Sequence, residues 1–206
     1  MLFRSDGTGD ETRITEKAGV VHSPTSVSRD GRWLVFSEGG GPSGAAQWLV
    51  RIDAAASEAE RVPKRFPMEE SANNGQISPD GKWLAYQSEV SGNQEVYVRP
   101  FPDSGPRVQV SSAGGVEPRW SRDGRTLYFV SPDRKVMAVE VVAGGGFSTR
   151  EPRVALAEGF KEPSNTNTPF DVMSDGRFLG VRLLPDANVL DRIDVVLHWF
   201  TQLPKR

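Results

Sequence analysis

The chain has 206 residues, 37% of them hydrophobic, with 25 basic and 27 acidic side chains and a net charge of −2. A balance so near zero leaves no electrostatic footprint for nucleic acid, and the absence of cysteine removes disulfides, thiolate metal sites and a cysteine nucleophile. The apolar share lies below the roughly 45–50% of average globular chains, and 21 glycines and 15 prolines accompany it, the mix expected of many short strands joined by tight turns.

Residues 1–7 lack the apolar stretch of a secretory signal. No segment is long and apolar enough to cross a bilayer, so this stretch of chain is expected to make no membrane contact.

In chain order, residues 2–4, a turn at 5–9 and residues 12–15 read as strand, turn, strand: a partial unit over 1–17. Residues 22–27 approach a turn, Ser28-Arg29-Asp30-Gly31, and strands follow at 32–37, 47–52 and 61–66. A Gly-rich loop at 38–45 and an Ala/Glu-rich connection separate them, and residues 54–60 are long enough for one helical turn. The second unit has its turn at Ser78-Pro79-Asp80-Gly81, flanked by 74–78 and 82–88, with strands at 95–99 and 107–110. In the third, Ser121-Arg122-Asp123-Gly124 lies between 117–120 and 126–131, followed by strands at 135–142 and 153–156. The fourth has Ser174-Asp175-Gly176 between 169–173 and 177–183, then an apolar strand at 193–200.

The aspartates of these turns stand at 30, 80, 123 and 175, that is, 50, 43 and 52 residues apart. In each turn Asp tolerates the second central position, and Gly supplies the left-handed conformation that lets a hairpin continue. After the second turn Trp83, Ala85 and Gln87 face one way and Leu84, Tyr86 and Ser88 the other. Repeats of about 40–50 residues with four strands each predict an all-β fold, a β-propeller or propeller segment of about four four-stranded blades. The units are 22–66, 73–111, 116–156 and 168–200 within a single domain, 1–206. Closure is expected either by residues 12–16 pairing with 193–199, or by the open edges of an incomplete arc pairing with another copy, as a homo-oligomer, or with a further part of a longer chain.

These turns, together with Glu95-Val96-Tyr97-Val98-Arg99-Pro100-Phe101-Pro102, Gly114-Gly115-Val116-Glu117-Pro118-Arg119-Trp120 and Val195-Val196-Leu197-His198-Trp199-Phe200, resemble TolB-like (PD-repeat) propeller repeats. More closely, they are similar to the C-terminal propeller of bacterial eukaryotic-like serine/threonine protein kinases. The resemblance spans nearly the whole chain. It implies the C-terminal part of a longer propeller, an extracytoplasmic (periplasmic or cell-surface) location and a sensing or protein-binding role. No kinase motif is present, and no catalytic residue carries over.

Candidate chemistry is sparse. The Asp-Gly pairs, one per blade at a hairpin turn, read as turn formers rather than metal ligands, and no metal or cofactor is expected. No Gly-x-Ser-x-Gly elbow occurs, and of the two histidines His198 reads as a sheet residue, while His22 sits before an innermost strand at a possible channel mouth. Glu117, Asp171 and Glu69 or Glu70 lie near the starts of innermost strands, where a carboxylate pair would do hydrolytic work. Arg119, two residues beyond Glu117, explains that acid equally well as half of a structural ion pair. The recurrent aromatics Trp33, Trp83, Tyr86, Trp120, Tyr128, Phe129, Phe178 and Trp199 read as packing between blades, while Trp48 has no such role.

The reading is a non-catalytic module binding a protein or small-molecule ligand at the channel mouth, near His22, Asn73, Asn74, Glu117, Arg119, Asn167 and Asp171. The alternative is a glycosidase- or esterase-like hydrolase using Glu117, Asp171 or His22.

Overall fold

The computed structural model describes residues 12–39, 46–68, 71–103, 105–142, 146–157 and 170–180. They form fifteen strands in antiparallel sheets. The first blade runs β1 (Val21–Val27), β2 (Trp33–Gly39), β3 (Ala46–Arg51) and β4 (Lys64–Arg65), in that spatial order. The second repeats it with β5 (Asn73–Ile77), β6 (Trp83–Ser88), β7 (Glu95–Pro100) and β8 (Val108–Gln109). The third has β9 (Val116–Trp120), β10 (Thr126–Val130) and β11 (Val136–Val142), whose far edge is shared by β12 (Ser148–Thr149) and β13 (Arg153–Leu156). A fourth begins with β14 (Phe170–Val172) and β15 (Phe178–Gly180). No helix among the described residues is long and apolar enough to cross a membrane.

The Ser-x-Asp-Gly turns explain why each blade starts the same way. Ser28 Oγ donates to Asp30 Oδ1 at 2.6 Å and accepts from Trp33 N at 2.9 Å, while Asp30 Oδ1 also accepts from Arg32 N at 3.0 Å. Ser78/Asp80 and Ser121/Asp123 repeat all three bonds. The glycines close the turns at φ +72, +71, +72 and +84 for Gly31, Gly81, Gly124 and Gly176, a region costly for any residue with a Cβ. Every carboxylate is thus bonded within its own turn, as the sequence predicts. The fourth turn carries Met173 where the others have serine, so Asp175 keeps only the Arg177 contacts. A fifth copy, hidden from the glycine pattern, joins β10 to β11: Ser131 Oγ donates to Asp133 Oδ1 at 2.6 Å, and Arg134 takes the glycine position at φ +65.

Alternation along a strand here buries both faces rather than one. On β6, Leu84 packs with Val35, Leu49 and Phe66 of the first blade, and Ala85 packs with Leu127 and Phe129 of the third. That two-sided burial is what radial stacking of sheets requires, and each fully buried aliphatic side chain contributes about 1.5–3 kcal/mol. Aromatic rings bridge the seams between blades: Trp33 meets Phe101 edge-on at 5.9 Å, Trp83 meets Phe147, which Trp120 of its own blade also touches, and Tyr128 meets Phe178 at 5.1 Å. Tyr86 differs, stacking on Tyr97 within its own blade.

Residues 54–60, where the sequence allows one helical turn, form turns closed by a single i→i+4 backbone bond, Arg61 N to Ser57 O at 3.1 Å. Glu60 Oε2 accepts from both Ser57 N and Ser57 Oγ, a capping-box pair with too few residues behind it to propagate a helix. Residues 12–17 lie against the first blade through Thr15–His22 and Lys17–Glu38 contacts; their predicted partner, 193–199, lies outside the described residues, as does His198.

Candidate functional site

The innermost strands β1, β5, β9 and β14 succeed one another around the inner edge of the blades, with contacts from each to the next. The first three each carry one extra residue in the same stretch, between five and two residues before the turn serine. In β5 and β9 the bulge holds Asn74 at φ +54 and Glu117 at φ +55. Asparagine tolerates that conformation better than most residues, whereas glutamate needs support from its surroundings.

That support is a chain of buried polar contacts. Gln87 Oε1, from β6, accepts from Glu117 N at 2.8 Å and from Asn74 Nδ2 at 3.1 Å. Asn74 Nδ2 also donates to Glu117 Oε1 at 2.9 Å, and Arg119 Nη2 donates to Glu117 Oε2 at 3.2 Å. Glu117 and Arg119 are only 3% and 8% exposed, so the pair is desolvated. Burial outweighs Arg119 and Asn74 and pushes the Glu117 carboxyl above its usual range. Burial likewise pulls the Arg119 guanidinium down, against the opposing charges of Glu117 and Asp171. One blade earlier Gln47 plays the part of Gln87: its Oε1 accepts from Gly75 N at 3.1 Å and its Nε2 donates to Ser37 Oγ at 2.6 Å. A Cβ on Gly75 would lie 2.4 Å from that oxygen, so only glycine admits the approach.

The structure therefore brings Asn74, Glu117 and Arg119 into direct contact and sets Asp171, on β14, near enough to Arg119 for its charge to be felt. It does not bring His22 to them. His22 Nε2 lies 3.0 Å from Glu38 Oε2 and its Nδ1 2.8 Å from Thr15 Oγ1, in a separate pocket of about 220 Å3 that also includes Lys17, Phe36 and Trp48. Hydrogen bonds from Lys17 and then His22 hold the Glu38 carboxyl below its usual range. Trp48 stacks on Phe36, and its indole N–H is buried without a hydrogen-bond partner among the described residues. Asn73 turns back to Ser71 O at 3.2 Å. Asn167, Glu69 and Glu70 lie outside the described residues.

Two clefts flank the inner strands. One of about 500 Å3 lies between the β6–β7 turn and the Gly114–Gly115 loop, where Glu95 accepts from Ser111 Oγ and, at 2.9 Å, from Gly114 N. The other, of about 340 Å3, opens where all four inner strands run into their turns, and includes Arg29, Gln76, Arg119, Arg122, Asp171 and Ser174. Sequence reasoning missed Gln47, Gln76, Gln87, Arg29 and Arg122. Aligning the units on their turns would have exposed part of this, since Asn74 and Glu117 share one column and Ser26, Gln76, Arg119 and Asp171 another.

Radially stacked antiparallel sheets with bulged inner strands are blades of a β-propeller. No protein-family model matches the chain, and no curated protein matches it in sequence. Among solved structures it is similar to one described as a TolB from Agrobacterium tumefaciens, with 20% identity and TM-score 0.56, over 84% of this chain and 61% of that one. A puromycin-hydrolyzing peptidase of Mycobacterium tuberculosis is similar at 19% identity and TM-score 0.58, over 78% of this chain but 26% of the peptidase. A protein described as a 6-phosphogluconolactonase from Bacteroides fragilis follows at 15% identity and TM-score 0.51, over 79% of this chain and 48% of its own. The chain thus spans less than two thirds of each, and these likenesses establish the fold alone.

Proposed function

We propose that this chain is a non-catalytic binding module, part of a TolB-like sensor or scaffold propeller, whose ligand meets the inner strands. The carrying observation is that the Glu117 carboxylate is already engaged on both oxygens, by Asn74 and by Arg119. A general acid or base needs at least one oxygen facing the reacting bond, and Glu117 instead holds Arg119 in place beside an open cleft. An extracytoplasmic location and an attached kinase segment belong to the same reading on the strength of the sequence resemblance, and association through open blade edges belongs to it because unpaired strand edges favour pairing.

A hydrolase reading has one observation in its favour: burial raises the Glu117 carboxyl toward the range of a proton donor, with Asp171 as a second carboxylate nearby. Two of the similar structures are described as a peptidase and a lactonase. The test is a screen of the purified protein against chromogenic glycosides, esters, lactones and aminoacyl amides, with Glu117→Gln in parallel. The binding reading expects no turnover above the buffer rate. Turnover by the wild-type chain that vanishes in Glu117→Gln replaces it with the hydrolase reading.

A further inference from the structure

The cleft of about 340 Å3 at the turn ends of the inner strands has an unusual charge arrangement. Three of the four neighbouring turn acids stand beside a cation from their own turn: Asp30 by Arg32 at 3.6 Å, Asp123 by Arg125 at 4.0 Å and Asp175 by Arg177 at 2.7 Å; the fourth, Asp80, accepts from Ser78 Oγ and Lys82 N. Arg29 and Arg122, both exposed at the lip, have no ion-pair partner among the described residues. Arg119 forms the inner wall, fixed from behind by Glu117.

Most neutral side-chain donors of the walls are already engaged. Gln76 Nε2 donates to Thr25 O at 2.6 Å and Trp120 Nε1 to Gln76 O at 3.0 Å. What remains for a ligand is the exposed guanidinium of Arg29 and Arg122, with the Ser174 hydroxyl beside them. Among the described residues the one carboxylate lining the cleft, Asp171, has an oxygen accepting from Val172 N at 2.8 Å, and its charge is set against Arg119. Apolar surface from Val27, Ile77, Trp120 and Val172 completes the lining and suits carbon next to the charge better than a bare inorganic ion.

Resting on the binding reading above, we infer that this cleft recognises organic carboxylate, presented either as acidic side chains of a peptide or as a free dicarboxylic acid. Guanidinium pairs with carboxylate in a planar two-bond geometry that ammonium cannot reproduce. Arg29 and Arg122 grip the carboxylate, and the charge of Arg119, whose Nη1 and Nη2 are held by Pro118 O and Glu117, backs the cleft from within.

The test is isothermal titration of the full chain with two probes, succinate and a capped Glu-Glu-Glu peptide, at 50 and 150 mM salt. At least one probe binds saturably; tighter binding of the peptide identifies a protein source and tighter binding of succinate a free acid. Arg29→Gln/Arg122→Gln, at exposed turn positions, weakens binding at least tenfold. Asp171→Asn, which removes the opposing charge, tightens it several-fold. Arg65→Gln/Arg153→Gln removes the same charge from outer strands and leaves the affinity within twofold. Absence of binding of either probe by the wild-type chain overturns the carboxylate assignment, and so does equal weakening in the two double variants. Neither result touches the broader binding reading, which neutral ligands test separately.

Discussion

Replacing Arg119 with methionine isolates the interaction on which the inner wall depends. The variant keeps most of the side-chain volume and leaves Glu117 buried, 3% exposed, with Asn74 as its remaining contact. Removing one partner of a buried ion pair costs about 3–5 kcal/mol when the other must stay charged. Glu117 has an escape, because it can take up a proton. Its carboxyl already lies above the ordinary value of 4.5 by reason of burial, and losing Arg119 raises it further. A folded-state value above the unfolded one favours the fold fully at pH below the unfolded value and loses that advantage as pH rises through the folded one. The loss in Arg119→Met is therefore largest at pH 8, about 3–4 kcal/mol, and smaller at pH 5 by about 1 kcal/mol or more, since one pH unit of proton uptake is worth roughly that much. Urea unfolding of wild type and variant at the two pH values reads the difference directly. Equal losses at both, or a loss under about 1 kcal/mol at pH 8, would mean that Glu117 and Arg119 are not coupled in the folded chain.

Gly75→Ala drives a methyl group against Gln47 and Val35 and displaces a Gln47 amide that is bonded at both ends; the expected cost is about 1–3 kcal/mol, seen as a lower urea midpoint, and an unchanged midpoint refutes the packing of these blades. Met173→Ser supplies the hydroxyl that the fourth turn lacks and is expected to stabilise by about 0.5–1 kcal/mol in thermal melts; a fall in melting temperature contradicts the turn equivalence. Hydrogen bonds from Ser28 and Ser121, respectively, hold the Asp30 and Asp123 carboxyls below their usual range, so each favours the fold above the ordinary value of 3.8 and loses that as pH falls through the depressed one. Asp30→Asn/Asp123→Asn accordingly lowers stability slightly at pH 7, by less than about 1 kcal/mol after solvent screening, and not at pH 2, as unfolding at both values will check.

Much of the fold was legible because the turn chemistry repeats. Ser-x-Asp-Gly needs a short alternating strand after it, and the alternation of Leu84 with Ala85 predicts two packed faces once several such units are present. The Glu117–Arg119 pair was legible from its spacing, although a bulge with Glu117 at φ +55, not a regular strand, brings the two together. The bulge itself left little trace, since Pro24, Asn74 and Glu117 share its column without sharing chemistry. Gln87 and Gln47 were invisible for a different reason. Each acts on the backbone of the next blade, 30 and 28 residues away, and no local pattern marks a side chain whose partner is a main-chain amide. His22 was misplaced because position along an inner strand does not say which way a ring turns; Phe36 and Glu38 draw it to its own blade. Arg29 and Arg122 looked like ordinary turn residues until the turns of neighbouring blades were set side by side.

The most direct measurement is backbone amide chemical-shift mapping of the full chain titrated with a panel of small polar compounds, neutral and anionic. Binding at the inner strands predicts saturable shifts gathered on Gln76, Arg119, Ser121 and Asp171, which line one cleft, with the substrates of the hydrolase panel unchanged in the same tubes. Shifts gathered instead on the outer strands β4, β8 and β13, or conversion of any panel compound during the titration, would contradict it.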